Sequence, residues 1–127
     1  MHSDIASNIG VVQSLTPAAR TDGAQDGTGV DLVDFGSAAV VFVPGTITDG
    51  THTPKVQESA DNSAWSDVAA GDLDGTLVDL ADDTAQKVGY LGTARYIRTV
   101  VTGAGSTTGG VYGAHVVKGS PRVAPVA

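Results

Sequence analysis

The chain has 127 residues, no cysteine, and a formal net charge of −7 from 14 acidic and 7 basic residues. That length is one domain with a core of its own, and the missing cysteines exclude disulfides and thiolate chemistry. An acidic surface repels phosphate backbones, which argues against direct nucleic-acid binding.

Glycine is abundant, at 17 residues, beside many Val, Thr, Ala and Asp. Val and Thr favour strands, while Gly and Asp favour turns. Lys, Glu and Leu, common in soluble helices, are scarce, so the composition predicts an all-β fold. The first ten residues lack the basic and apolar regions of a signal peptide. No apolar run approaches the roughly 20 residues of a membrane helix, so no membrane association is expected.

In chain order, Met1 to Ser7 is polar and predicts a mobile arm. Ile9 to Leu15 alternates weakly and suggests a first strand. Thr16 to Gly29 (TPAARTDGAQDGTG) lacks apolar periodicity and reads as a long loop or extended arm. Val30 to Phe35 alternates apolar and acidic residues; Gly36-Ser37 reads as a turn. Ala38 to Pro44 is continuously apolar, as in a central strand buried on both faces. Gly45 to Thr53 is turn-rich. Pro54 to Ser59 alternates, with Val56 inward and Lys55 and Gln57 outward. Asp61-Asn62-Ser63 then reverses the chain into Trp65 to Val68, a hairpin signal.

Asp72 to Asp83 is an acidic linker with a short apolar piece, Leu77 to Leu80. Gln86 to Leu91 reads as a strand and Ala94 to Thr102 as the longest one. Gly103 to Gly110 reads as a flexible loop and Val111 to Lys118 as the last strand. Ser120 to Ala127 carries two prolines and reads as an extended tail. The expected layout is one domain: an N-terminal arm with a first strand or loop over 1–29, a sandwich core over 30–119 and a tail over 120–127. About eight strands at this spacing predict an antiparallel β-sandwich, of jelly-roll type, with an immunoglobulin-like sandwich as the rival.

The strongest chemical motif is Asp72-Leu73-Asp74-Gly75-Thr76-Leu77. DxDGTL is the signature of haloacid-dehalogenase-type phosphatases, where the first Asp is a nucleophile toward phosphate and the second a general acid. Here Asp67 to Gly71 makes a poor buried strand, no strand–helix alternation follows, and too little chain remains. An acidic turn is the expectation. The same carboxylates, with Asp79, Asp82 and Asp83, offer oxygens for Ca²⁺ but lack the distal Glu of an EF-hand. Asp22, Asp26 and Asp31 form a looser second set. His2, His52 and His115 have no zinc spacing. Gly103-Ala104-Gly105-Ser106 lacks the Gly-Lys end of a phosphate loop. No catalytic, metal or cofactor-binding residue is therefore assigned.

Trp65, Tyr96, Ile97 and Val100 are predicted core positions, because they are the large or β-branched residues of the best-patterned strands. Alternation puts Arg95 and Arg98 on opposite faces of their strand, so at least one lies near an edge or interface. With Pro121, Arg122 and Pro125 of the tail they form the candidate interface.

The words VQESADNSAWSDV, VGYLGTARYIRTVVT and GGVYGAHVVKGSPRVAP resemble a family of small virion structural proteins of tailed phages, encoded near the major capsid protein. The resemblance covers roughly the last seventy residues. It implies a non-enzymatic head decoration, cement or spike-base protein on the capsid exterior, assembled in host cytoplasm. It implies the major capsid protein or other virion subunits as partners, and a homo-oligomer. The QxSxDxxxW…RYIR pattern also resembles galactose-binding-like jelly rolls. A carbohydrate- or receptor-binding module of a fibre or spike is the alternative expectation.

Overall fold

The computed structural model describes residues 2–126. Ten strands form two antiparallel sheets. They are β1 (Gly10–Arg20), β2 (Gly23–Asp26), β3 (Val30–Asp31), β4 (Phe35–Ile47), β5 (Thr51–Ser59), β6 (Ser66–Asp67), β7 (Leu73–Asp74), β8 (Gln86–Tyr90), β9 (Tyr96–Ala104) and β10 (Gly110–Pro121). The first sheet runs β1-β10-β4-β8-β7 and the second β2-β9-β5-β6, with β3 also on β9. The chain is an all-β sandwich, as composition and period-2 patterning predict. Two short 3₁₀ turns, Ala6–Asn8 and Ala70–Asp72, are the helical pieces among the described residues.

Most connections cross from one sheet to the other; β5–β6 and β7–β8 are pairs within a sheet. The inner faces meet in one apolar cluster. Val40, Phe42 and Val88 of the first sheet, with Tyr112, Ala114 and Val116, face Val56, Ile97 and Val101 of the second. Burial of these side chains is the main stabilising term, at about 1.5–3 kcal/mol each.

A polar tie also joins the sheets. The buried Ser14 hydroxyl of β1 donates to the Thr28 carbonyl (2.8 Å) and accepts from the Thr99 amide and hydroxyl of β9, both at 3.0 Å. Ser14 lies where the β1–β10 register shifts, between Gln13 and Leu15. That irregularity turns a polar side chain inward, where three partners satisfy it.

Several expectations are corrected. Thr16 to Gly29 is not a loop: β1 continues to Arg20 along β10, and Gly23–Asp26 pairs with Gly103–Val100 of β9. The boundary drawn at residue 29 therefore cuts through both sheets. Both segments lie at sheet edges, where one strand face and one flank are solvated, so they carry no apolar stripe. Gly36-Ser37 is inside β4, with Ser37 opposite Gly119. β4, at 13 residues, is longer than β9, at 9. β4 is buried on one face only: Val40 and Phe42 are fully buried while Val43 is 44% exposed. The tail does not begin at Ser120, because Pro121 pairs with Phe35 and the Arg122 amide donates to the Asp34 carbonyl at 2.8 Å.

Candidate functional site

A cleft of about 330 Å³ opens at one end of the sandwich. Its walls are the β3–β4 turn with the start of β4 (Leu32 to Ala38), the β8–β9 loop (Gly92 to Arg95), Tyr90 and Arg122. The turn forms because Asp31 accepts the Val33 amide at 2.9 Å and Asp34 takes a left-handed φ of 69°. Aspartate tolerates that conformation better than most residues. The Leu32 amide donates to the Arg95 carbonyl at 2.8 Å, which holds the two walls together.

Tyr90 fixes the floor. Its hydroxyl donates to Glu58 Oε1 at 2.7 Å and accepts the Ala94 amide at 3.0 Å. Burial, reinforced by the Glu58 carboxylate, pushes its pKa up to about 12. The phenol therefore stays protonated and keeps donating.

Two of the predicted interface arginines meet at this cleft. Arg95 forks onto Asp31, with Nε to Oδ1 at 3.0 Å and Nη2 to Oδ2 at 2.8 Å. That pair is the main reason the Asp31 carboxyl is held below the usual carboxylate range. Arg122 lies 3.8 Å from Asp34. The Arg95 and Arg122 side chains are 54% and 80% exposed. Exposed pairs of this kind are screened by solvent, so a partner's carboxylates can compete for both guanidinium groups. Pro121 closes β10 next to Arg122, and Pro125 is exposed further along the tail.

Arg98 does not join them. It lies on the outer face of the second sheet, its guanidinium carbon 4.6 Å from the Trp65 ring centroid. Nε and Nη2 both donate to Gln57 Oε1, at 2.9 and 2.7 Å. Gln57 donates to Asp67, which also pairs with Lys55 at 3.1 Å. Trp65 is thus not a core residue: it is half-buried over this polar network. Gly29 lets the indole lie close, since a Cβ there would come within 2.9 Å of the ring. Tyr96 is likewise half-buried on this outer face, with Arg95 over its ring at 5.2 Å. Ile97 and Val100 are buried, at 0% and 2% exposure.

Of the aspartates that suggested a metal site, Asp79 and Asp82 fix loops, accepting from the Thr53 hydroxyl and the Ile47 amide. Asp22 does the same, as do Asp49 and Asp61 from outside those sets. Asp49 accepts the Thr107, Thr108 and Gly109 amides, Asp61 accepts those of Ser63 and Ala64, and Asp22 accepts the Ser106 amide. Those amide bonds hold the Asp49 and Asp61 carboxyls low; the Ser106 hydroxyl leads for Asp22. No group of three or more metal-type side chains gathers among the described residues. Asp72 precedes the short strand β7 and Asp74 ends it; β7 pairs antiparallel with β8. The DxDGTL string thus has neither the parallel strand nor the following helix of a phosphatase site.

His52 was expected in a loop. It is a fully buried residue of β5, its ring 5.5 Å from that of Tyr112 and its Nε2 3.0 Å from the Asp49 carbonyl. The alternation His52, Pro54, Val56 was the available signal, masked by the flanking Gly, Asp and Thr.

No protein-family model, curated protein or solved structure matches the chain.

Proposed function

We propose that this chain is a non-enzymatic virion structural protein, a head decoration or spike-base protein, that attaches to the major capsid protein or a neighbouring virion subunit through its cleft end. The observation that carries the reading is the meeting of Arg95 and Arg122 on one cleft, at the end where the tail leaves β10. Two exposed guanidinium groups over main-chain walls suit a partner segment bearing carboxylates. The words that resemble phage virion proteins supply this construction: Glu58, Tyr90 and Ala94 hold the floor, while Gln57, Trp65 and Arg98 brace the second sheet.

The strand order supports a jelly-roll topology. Six of the nine connections between consecutive strands cross from one sheet to the other, as in a folded-over pair of Greek keys.

A second reading is favoured by the cleft's form. An end-on hollow lined by Arg95, Arg122, Asp34 and Tyr90 also fits a glycan. The test is co-sedimentation with assembled heads, run beside a glycan array. The intact chain should pellet with heads, and an Arg95→Glu/Arg122→Glu variant should remain in solution. Glycan binding without attachment to heads would replace the first reading with the second.

A further inference from the structure

The two outer faces of the sandwich differ in kind. The second sheet shows the charged network around Arg98. Outward positions of the first sheet are mostly apolar or small, with Gln13, His115 and Lys87 as polar members. Pairing registers set them in rows across the strands. One row is Val11, Val117, Ala39, Gly89; the next is Gln13, His115, Val41, Lys87. Val43 and Val111 continue the surface. Val11 is 60% exposed, Val43 44% and Val111 42%. Solvated faces of antiparallel sheets ordinarily carry polar residues, so this face is an exception that asks for a cover.

We infer that this face is where a second copy of the chain docks, forming a twofold dimer by sheet-on-sheet packing. The inference goes beyond capsid attachment, which uses the cleft end.

Three observations select a second copy as the occupant. The first is size. Three strands of about ten residues and the 5 residues of β8, spaced about 4.8 Å apart with about 3.4 Å per residue, give roughly 570 Å² of projected face. That approaches the roughly 800 Å² per partner of a standard interface, and is about a tenth of the molecule's surface of 6887 Å².

The second is charge. Two chains of net charge −7 repel wherever their acidic surfaces meet. On this face the charged groups are Lys87 and Asp74, of opposite sign and both at the β8–β7 rim. Contact here brings copies together with the least repulsion.

The third is relief. In the row Val11, Val117, Ala39, Gly89 the larger side chains stand on β1 and β10 and the smaller on β4 and β8. A twofold axis passing between β10 and β4 sets the valines of one copy over the alanine and glycine of the other. A surface that complements itself under a twofold is the requirement for a closed dimer. His115 and Val41, opposite each other on β10 and β4, would then lie beside the axis.

The test is sedimentation velocity on the full chain from micromolar to about 1 mM, where even a weak dimer forms. The expected mass is twice 12.7 kDa at the upper concentrations. Val41→Asp should weaken self-association at least about tenfold, because it buries an unpaired charge. Val11→Asp, on an exposed edge strand, serves if Val41→Asp does not fold. Thr102→Asp, on the other sheet's outer face, should change nothing. Since the chain has no cysteine, single cysteines report the geometry directly. Val41→Cys should cross-link to its mate with a short bismaleimide, and Thr102→Cys should not. A monomer throughout, cross-linking through Thr102→Cys alone, or dimers indifferent to both valine variants would each overturn the inference. So would a monomeric chain whose Val41→Asp variant loses attachment to heads, since the face would then belong to the capsid.

Discussion

The guanidinium carbon of Arg98 sits 4.6 Å from the centroid of the Trp65 ring, and the same guanidinium donates twice to Gln57. This stack bridges the β5–β6 hairpin to β9 on the outside of the second sheet. It explains why the chain keeps a tryptophan outside its core. The ring shields the arginine and the arginine covers the ring.

Trp65→Ala should therefore destabilise modestly, by about 1–2 kcal/mol, from partial apolar burial plus a cation–π contact. Phe42→Ala, at a fully buried site, should cost about 3–5 kcal/mol. Urea unfolding of both variants checks the order. A Trp65 variant costing as much as the Phe42 variant would return Trp65 to the core.

Ser14→Ala should be costly for its size. It leaves the buried Thr99 amide and hydroxyl without their shared acceptor, and removes a cross-sheet tie. A stranded buried donor costs about 1–3 kcal/mol. Hydrogen exchange at the Thr99 amide should accelerate beyond the global change in stability, reporting local separation of β1 from β9.

Alkaline stability should depend on Tyr90. Its folded pKa of about 12 lies above the ordinary tyrosine value of about 10. The sign follows: the neutral phenol is favoured by folding, so its contribution is complete below about pH 10 and is lost as pH rises toward 12. Tyr90→Phe should lose stability at neutral pH and show a weaker decline between those values. An ultraviolet titration in which all three tyrosines ionise near pH 10 would contradict this account.

Acid works with the opposite sign. The carboxyls of Asp22, Asp31, Asp49, Asp61 and Asp67 are all lowered by bonds made in the folded state. Their contribution is present above about pH 4 and is lost as pH falls through their lower folded values. Asp49→Asn should flatten the acid limb of the stability profile and loosen the loop over Thr107 to Gly109. Thermal melts between pH 7 and pH 2 measure the slope.

The sequence made the architecture legible where alternation and turn chemistry agreed. Val56 pointing in beside Lys55 and Gln57, and the Asp61-Asn62-Ser63 reversal, are examples. It was silent at the edges. β1 beyond Leu15 and β2 are polar because they border solvent, and their strand character comes from β10 and β9, partners distant in sequence. Patterning also misled at β4, where continuous apolarity suggested burial on both faces. The outward valines Val41 and Val43 belong instead to the uncovered face. Arg95 and Arg122 were legible as interface residues, but their meeting was not. They lie 27 positions apart and meet because the β3–β4 turn bonds to both, through the Leu32 amide to the Arg95 carbonyl and the Arg122 amide to the Asp34 carbonyl.

The most direct test of the proposed attachment is hydrogen–deuterium exchange of the chain free and bound to assembled heads. The account predicts slowed exchange on binding over the β3–β4 turn, the Leu91 to Arg95 loop and the segment after Pro121. The β5–β6 hairpin beside Trp65 should be unchanged. Protection confined to that hairpin, or no protection anywhere when heads are present in excess, would contradict it.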